Sequence, residues 1–331
     1  MLSLLGFLGC ITQKVDRFTL DRILVQGQAV ADTQKACALG ESLSHVLMAT
    51  GNAEKQPHLA LVISNATAGI CAEKEAWEYE LQAEKAKKNI PIDTPYRIAE
   101  IKDNKIQAER WHALAAQRFF YAYKAAEAEY GEMGGDCPAV KDKDETAFLV
   151  ALMSGTLAIL HDKSSGGAVG VPLDLLPKIA RTTDCFSAEK WWHVTSTLKA
   201  GIWASIPGTG PEDVDGWKLM VEEAKKGQAS GVRAGWGVAA LLSNNAGKED
   251  VLREVLTAHG QNIAEMEQSS DWAFFDSYGY ELSQQQSDLL WMKEMGYRTP
   301  KFGDLPQEEA EDTLPVNGED PFGGDKEDPF Q

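Results

Sequence analysis

The spacing of apolar residues restricts the fold of this chain more than any other feature. Two long runs without proline, residues 18–50 and 97–130, carry apolar residues three and four positions apart, and neither shows the alternation of period two that strands require. In the second run this apolar face comprises Trp111, Leu114, Ala115, Phe119, Ala122 and Ala126. The sequence therefore predicts an all-α protein.

Shorter segments with the same period follow. The residues at helix ends predict further helices over 52–88, 147–160, 187–206, 211–226, 232–243, 249–264 and 271–295. Segment 147–160 is almost wholly apolar but shorter than the roughly 20 residues of a bilayer span, so we expect it inside the protein. The later helix starts recur loosely and fit tetratricopeptide-like units of about 34 residues. We therefore expect antiparallel helix hairpins stacked as a tetratricopeptide-like α-solenoid.

Composition divides the chain into four predicted parts. Residues 1–17 form a signal or lipid-anchor segment, 18–163 the long helices, and 164–300 the helix pairs. The glycine- and serine-rich stretch at 163–170 marks the main boundary. Residues 301–331 form the fourth part, and from Asp304 onward ten acidic residues face one basic residue, Lys326. With four prolines, this part is predicted to be a disordered acidic tail.

The first ten residues and the cysteines point to an oxidising compartment. An apolar run ending at Cys10 resembles a bacterial lipoprotein signal, in which that cysteine is acylated; the alternative is the short apolar end of an ordinary protein. The other four cysteines are an even number, and the simplest pairing joins neighbours, Cys37 with Cys71 and Cys137 with Cys185. The alternative is a set of unrelated buried thiols in a cytoplasmic protein.

Charge and motifs exclude several functions. The net charge of −18 argues against a surface that follows nucleic-acid phosphates. None of the six histidines lies in a metal-binding or catalytic pattern, so we expect no metal, no cofactor and no catalytic residues. The acidic residues of segment 73–84, together with Lys74, Lys85, Lys87 and Lys88, are predicted to form a solvated face with ion pairs between successive turns.

Two groups of aromatic residues are candidates for contact with a ligand or a protein partner. The first is a concentration of tryptophans, whose rings combine apolar area with one N–H donor: Trp191, Trp192, Trp203, Trp217 and Trp236. Trp191 and Trp192 are adjacent on a predicted helix, so we expect one of them to be exposed. The second is a repeated Asp-Pro-Phe in the tail, which places Phe322 and Phe330 in an acidic strand. For the tryptophans, the alternative is that they only pack in the core. For the tail, the alternative is that it only keeps the protein soluble.

Four helical stretches, residues 73–78, 117–124, 217–227 and 232–240, resemble the T-component proteins of TRAP transporters in their order and spacing. The resemblance covers about residues 20 to 265. It implies a periplasmic lipoprotein of tetratricopeptide-like helix pairs, tethered by its N-terminal lipid. Its implied role is to scaffold a transport or envelope complex, as an oligomer that binds a substrate-binding protein, without catalysing a reaction.

Two other functions remain open from the residues. One is a small-molecule binder or enzyme whose pocket lies between the long helices and the helix pairs, with Arg118, His193 and Tyr123 as candidate polar groups. The other is a structural subunit of a cell-surface or motor assembly that is recruited through the acidic tail.

Overall fold

The computed structural model describes residues 14–24, 30–51, 56–88 and 95–307. Within these ranges the protein contains helices and no strand, which confirms the predicted all-α class. Cys10, Phe322, Phe330 and the rest of the tail beyond 307 lie outside them. Residues 14–18 are helical, and the described ranges contain ten α-helices of eight residues or more: α1 (Thr33–Thr50), α2 (His58–Lys88), α3 (Pro95–Tyr130), α4 (Glu145–Ser164), α5 (Leu175–Thr182), α6 (Val194–Ser205), α7 (Gly216–Gly227), α8 (Ala234–Asn245), α9 (Glu249–Glu265) and α10 (Ala273–Met295).

The prediction of one helix over 18–50 is wrong. Residues 30–32 are not helical, and α1 begins only after Asp32. The Asp32 carboxylate accepts a hydrogen bond from the Lys35 backbone N–H at 2.9 Å, which satisfies one of the free donors in the first turn. Asp is a preferred residue for this cap, and its local hydrogen bond sets the start of the helix.

The predicted helix start at Ser187 is also wrong. Residues 188–193 form turns, and Trp192 and His193 adopt left-handed backbone angles with φ of 50° and 55°. The reason is tertiary: Gly227 packs so closely that a Cβ there would lie 2.0 Å from the Trp192 carbonyl oxygen. Two successive residues other than glycine in this region carry strain that the surrounding packing must hold.

The first four helices pack as successive antiparallel neighbours. Along α2 and α3, Gly69 lies against Phe119 while Glu80, further along α2, meets His112, which comes earlier in α3. Helix α4 returns along α3 in the same way. Helix α2 lies centrally, because it contacts α1, α3, α4 and α10.

In the second half, α6, α8 and α10 lie side by side and run in the same direction. Gly201 of α6 packs on Leu242 of α8, and Gly237 of α8 lies so near Gly279 of α10 that a Cβ would stand 2.4 Å from its carbonyl oxygen. The Arg233 side chain before α8 donates through Nε to Asp276 of α10 at 2.8 Å, within the core. A charge-assisted pair of this kind fixes the register of the two helices.

The last helix packs against the second. Helix α10 runs parallel to α2, and Lys74 of α2 pairs with Glu281 of α10 at 3.0 Å and donates to Thr33 of α1 at 2.7 Å. In an open solenoid each repeat touches only its neighbours. The contact between α2 and α10 instead closes the array, so that the helices surround a central space.

The hydrophobic core spans the glycine-rich boundary predicted at 163–170. A single cluster of buried side chains contains Phe119 and Leu152 from before it and Leu198, Trp236 and Leu256 from after it. Helix α4 is buried on most sides, as its composition predicts. None of the helices within the described ranges combines the length and apolar character that a membrane span needs.

The four remaining cysteines lie in two pairs at disulfide distance, as the neighbour pairing predicts. Cys37 and Cys71 join α1 to α2 with their Cα atoms 5.2 Å apart, and Cys137 and Cys185 join the segments that follow α3 and α5 at 5.4 Å. Disulfides persist in oxidising environments such as the periplasm or the cell exterior. The pairs are thus consistent with an extracytoplasmic protein.

We expect the double variant Cys37→Ala/Cys71→Ala to unfold at lower denaturant concentration, with a loss of about 2 to 4 kcal/mol in the free energy of unfolding. The bond closes a loop of 34 residues and holds α1 over α2. Denaturant titration measures the loss, and wild-type protein treated with reductant serves as the comparison. Free thiols at both positions in the oxidised protein would contradict the assignment.

Candidate functional site

The closed helix array surrounds a cavity of about 270 Å³. Its wall is built mainly from α1, α2, α4, α8 and α10, while α3 adds Phe119, the turn before α6 adds Trp192, and α6 itself adds Val194. It therefore lies between the long N-terminal helices and the helix pairs. This is the place that the small-molecule alternative predicts for a pocket.

The cavity lining is almost entirely apolar. Three of its polar side chains are already engaged: Ser64 and Thr67 donate to carbonyl oxygens one turn earlier in their own helix, and the Tyr278 hydroxyl donates to Glu73. A ligand with many polar groups would lose its hydrogen bonds to water on entry without replacing them. The lining suits an apolar ligand.

One end of the wall is aromatic. The Trp192 ring packs edge-on against Trp272 with centroids 4.9 Å apart and lies 5.5 Å from both Trp191 and Phe275. The strained backbone at Trp192 and His193 holds the Trp192 ring at the cavity. Strained residues persist only where their surroundings fix them, and they are common in ligand sites.

The mouth of the cavity carries exposed groups from α1 and the residues just before it. Val30 and Leu39 are exposed although they line the cavity. Lys35 stands beside them, paired with Asp32 at 3.2 Å at the protein surface. An apolar entrance with a charge at its rim leads from solvent to the interior.

A row of hydrogen-bonded ionisable side chains, which we call the Glu–His network, runs from the cavity wall to the surface. It consists of Tyr278, Glu73, His161, His112 and Glu80. The Tyr278 hydroxyl donates to Glu73 Oε2 at 2.6 Å, Glu73 Oε1 meets His161 Nε2 at 2.9 Å, and the two histidine Nδ1 atoms lie 2.7 Å apart. His112 Nε2 meets Glu80 Oε1 at 2.9 Å.

Burial controls the charges in this network. Glu73 has no exposed surface, and loss of solvation raises its pKa to about 8, against a smaller lowering by the Tyr278 hydrogen bond. Burial lowers the pKa of His161 well below its ordinary value, and the nearby His112 adds to the effect. Burial also raises the pKa of Tyr278. At neutral pH the inner part of the network is therefore uncharged.

The prediction that segment 73–84 forms only a solvated face is wrong at Glu73. Glu75 on the same helix is exposed, as predicted, whereas Glu73 points between α4 and α10. The charge pattern of one helix does not reveal that three other helices cover one of its acidic positions. Sequence patterns do not reveal the Glu–His network either, because its five residues come from four helices.

The structure separates the predicted tryptophans. Trp191, Trp192 and Trp236 are 2%, 5% and 1% exposed, so the expectation that Trp191 or Trp192 is exposed is wrong. Trp203 and Trp217 are partly buried. Trp192 lines the cavity, while the indole N–H groups of Trp191 and Trp236 bond to Glu145 and Gln228. Of the five, Trp192 is therefore placed for ligand contact within the cavity.

The polar groups proposed for the small-molecule alternative do not line this cavity. Arg118 bonds to Glu41 and to the Ala68 carbonyl oxygen, and His193 bonds to Glu223. Tyr123 is buried against α4. The cavity lies between the long helices and the helix pairs, but Arg118, His193 and Tyr123 belong to other contacts.

No family model, curated protein or solved structure matches this chain. No group of three or more histidine, cysteine or acidic side chains in the described ranges is arranged to hold a metal ion.

We expect Glu73→Gln to stabilise the protein at high pH. Unfolding frees Glu73 to ionise near its ordinary pKa, so its contribution to stability is present in full in acid and is lost as pH rises toward about 8. Glutamine keeps both hydrogen bonds of the protonated acid without ionising. The variant should exceed the wild type by on the order of 4 kcal/mol at most near about pH 9 and by little near about pH 4.

Denaturant unfolding across this pH range measures the difference. Glu75→Gln is the matched control, because Glu75 lies exposed on the same helix. An equal effect of the two substitutions at every pH would show that Glu73 ionises as freely in the folded protein as in the unfolded one.

Proposed function

We propose that this protein is a non-catalytic, extracytoplasmic binding protein that holds an apolar small molecule in its central cavity. The observation that carries the proposal is the cavity itself, which is enclosed by helices from both halves of the chain, lined by apolar side chains and open at α1. Pockets of this kind, with few polar groups, are the usual sites of small-molecule binding.

Physical considerations favour an apolar ligand over water in this space. A water molecule needs two to four polar partners, and the serine, threonine and tyrosine hydroxyls named above are already bonded. Dry apolar cavities of about 150 Å³ accept benzene in other proteins. The larger cavity here suits a ligand of greater size, which would gain about 25 cal/mol for each Å² of apolar surface removed from water.

The resemblance to TRAP T-components supplies the setting that we propose for this binding. Helices α6 to α10 support a tetratricopeptide-like arrangement, with α6, α8 and α10 parallel and α7 and α9 between them in sequence. Two disulfides support a periplasmic location. A protein tethered by a lipid on Cys10 would then present its ligand to a transport or envelope complex, as an oligomer that binds a substrate-binding protein.

We expect Met153→Trp to weaken binding of an apolar fluorescent probe such as N-phenyl-1-naphthylamine. Met153 of α4 lines the cavity, and the larger indole would occupy the space that a ligand needs. Fluorescence titration of the purified protein measures the affinity, and we expect a loss of at least about tenfold, or about 1.4 kcal/mol.

The control is Met48→Trp, which makes the same substitution on α1 at a side chain that is 46% exposed. It should leave probe affinity unchanged. Equal probe binding by wild type and Met153→Trp would refute binding in this cavity. If Met153→Trp weakens probe binding, mass spectrometry of an organic extract of the purified wild-type protein would identify the compound that the cavity binds.

We also expect the mature protein from a bacterial host to carry a lipid on Cys10. The apolar run before Cys10 is the basis, and the mass of the N-terminal peptide is the measurement. A mature protein that begins with unmodified Met1 would contradict the anchor. The same experiment on Cys10→Ala provides the control, because that variant lacks the thiol that is acylated.

A further inference from the structure

The contact between the two histidines restricts where protons can lie. Their Nδ1 atoms are 2.7 Å apart, a hydrogen-bond distance, so one nitrogen must donate and the other must accept. Two protonated nitrogens would clash, and two bare nitrogens would repel through their lone pairs. His112 and His161 therefore cannot both be imidazolium ions.

Two proton arrangements satisfy every hydrogen bond of the network. In the first, protonated Glu73 donates to His161 Nε2, His161 donates through Nδ1 to His112 Nδ1, and His112 donates through Nε2 to the Glu80 carboxylate. In the second, ionised Glu73 accepts from His161 Nε2, and His112 donates through both nitrogens as an imidazolium. Both arrangements use the same contacts and contain the same number of protons.

We propose that Glu73, His161 and His112 form a proton path that joins the cavity wall to Glu80 at the protein surface. Glu80 is the outer end, because its side chain is 30% exposed while Glu73 has no exposed surface. Tyr278 is the inner end, because it lines the cavity and donates to Glu73. The ligand of this path is the proton itself.

The transfer conserves protons at each step. The Glu73 proton passes to His161 Nε2 while the proton on His161 Nδ1 passes to His112 Nδ1, so the O–H bond and one N–H bond break as two N–H bonds form. This step turns the first arrangement into the second. The imidazolium of His112 then releases its Nε2 proton to Glu80, which exchanges it with water. Protonation of Glu73 follows the same steps in reverse.

The groups around Glu73 favour its use as a reversible proton carrier. Helix α10 presents Tyr278 and Glu281 to it, α4 presents His161, and α3 presents His112, while Lys74 is its neighbour on α2. Lys74 and Glu281 pair with each other, so their opposite effects on Glu73 largely cancel.

Burial thus remains the main influence and raises the pKa of Glu73 to about 8. A fully buried group that titrates there needs a route for its proton to solvent, and the two histidines provide one. His161 is held between Glu73 and His112 with Phe119 stacked on its ring at 5.5 Å, which fixes its orientation.

The test is nitrogen NMR of the full-length protein with isotope-labelled histidine, titrated from about pH 6 to about pH 10. The nitrogen shifts report which ring atom carries the proton. We expect His161 to change from the Nδ1–H to the Nε2–H tautomer, and His112 Nδ1 from acceptor to donor, with one shared midpoint. Fixed tautomers throughout, or two separate midpoints, would overturn the path.

Two variants test whether Glu73 is the source of the proton. In Glu73→Gln the side-chain oxygen accepts from Tyr278 and the amide donates to His161, so both histidines should stay in the first arrangement across the range. Glu75→Gln should titrate as the wild type does. A shared transition that persists in Glu73→Gln would also overturn the proposal, because it would show that Glu73 is not the source of the proton.

The wild-type titration decides the question even where a variant folds poorly. Because no ligand is added, the result is independent of the proposed binding function. Loss of probe binding in Met153→Trp and a shared histidine transition are separate readouts, and either can fail alone.

Discussion

The contact between α2 and α10 is the one on which the other features of this structure depend. It joins the last long helix to the second, converts a linear series of hairpins into a closed array and encloses the apolar cavity. It also brings Tyr278 to Glu73, which α2 alone would leave facing solvent. Without this contact neither the cavity nor the inner end of the Glu–His network would exist.

Small residues and buried charge pairs make that closure possible. Gly237 and Gly279 let α8 and α10 approach until their backbones touch, and Arg233 with Asp276 fixes their relative position in the core. A buried pair of charges contributes specificity more dependably than stability, because desolvation offsets much of the attraction. The Arg233–Asp276 pair sets the position of α10, and therefore which side chains of α10 face α2.

The sequence predicts the class of structure and much less of the site. Helical periodicity is a local property, so α3 and α4 could be predicted from residues within each segment, and the cysteine pairs from their order. The start of α6 could not, because the left-handed turn at Trp192 and His193 packs against Gly227, which lies more than thirty positions away.

The Glu–His network could not be predicted from the sequence for a related reason. Glu73, His112, His161 and Tyr278 come from four helices, and their spacing along the chain follows no metal or catalytic motif. A signal was nevertheless present: Glu73 is followed at successive turns by Ala76, Trp77 and Leu81, which are buried. An acidic residue in register with the apolar face of a helix is a candidate for burial. Glu75, which is exposed, lies outside that register.

The cavity and the network depend on the same exclusion of water. The proposed apolar ligand would be held because water gains little in the cavity, and Glu73 stays protonated near neutral pH because it is buried away from water. Ionisation of Glu73 would place a charge directly behind the wall at Tyr278, where the low polarity of an occupied cavity would oppose it. An apolar occupant and a neutral Glu73 thus favour each other. The histidines give this sealed carboxyl an exit for its proton without opening the wall to water.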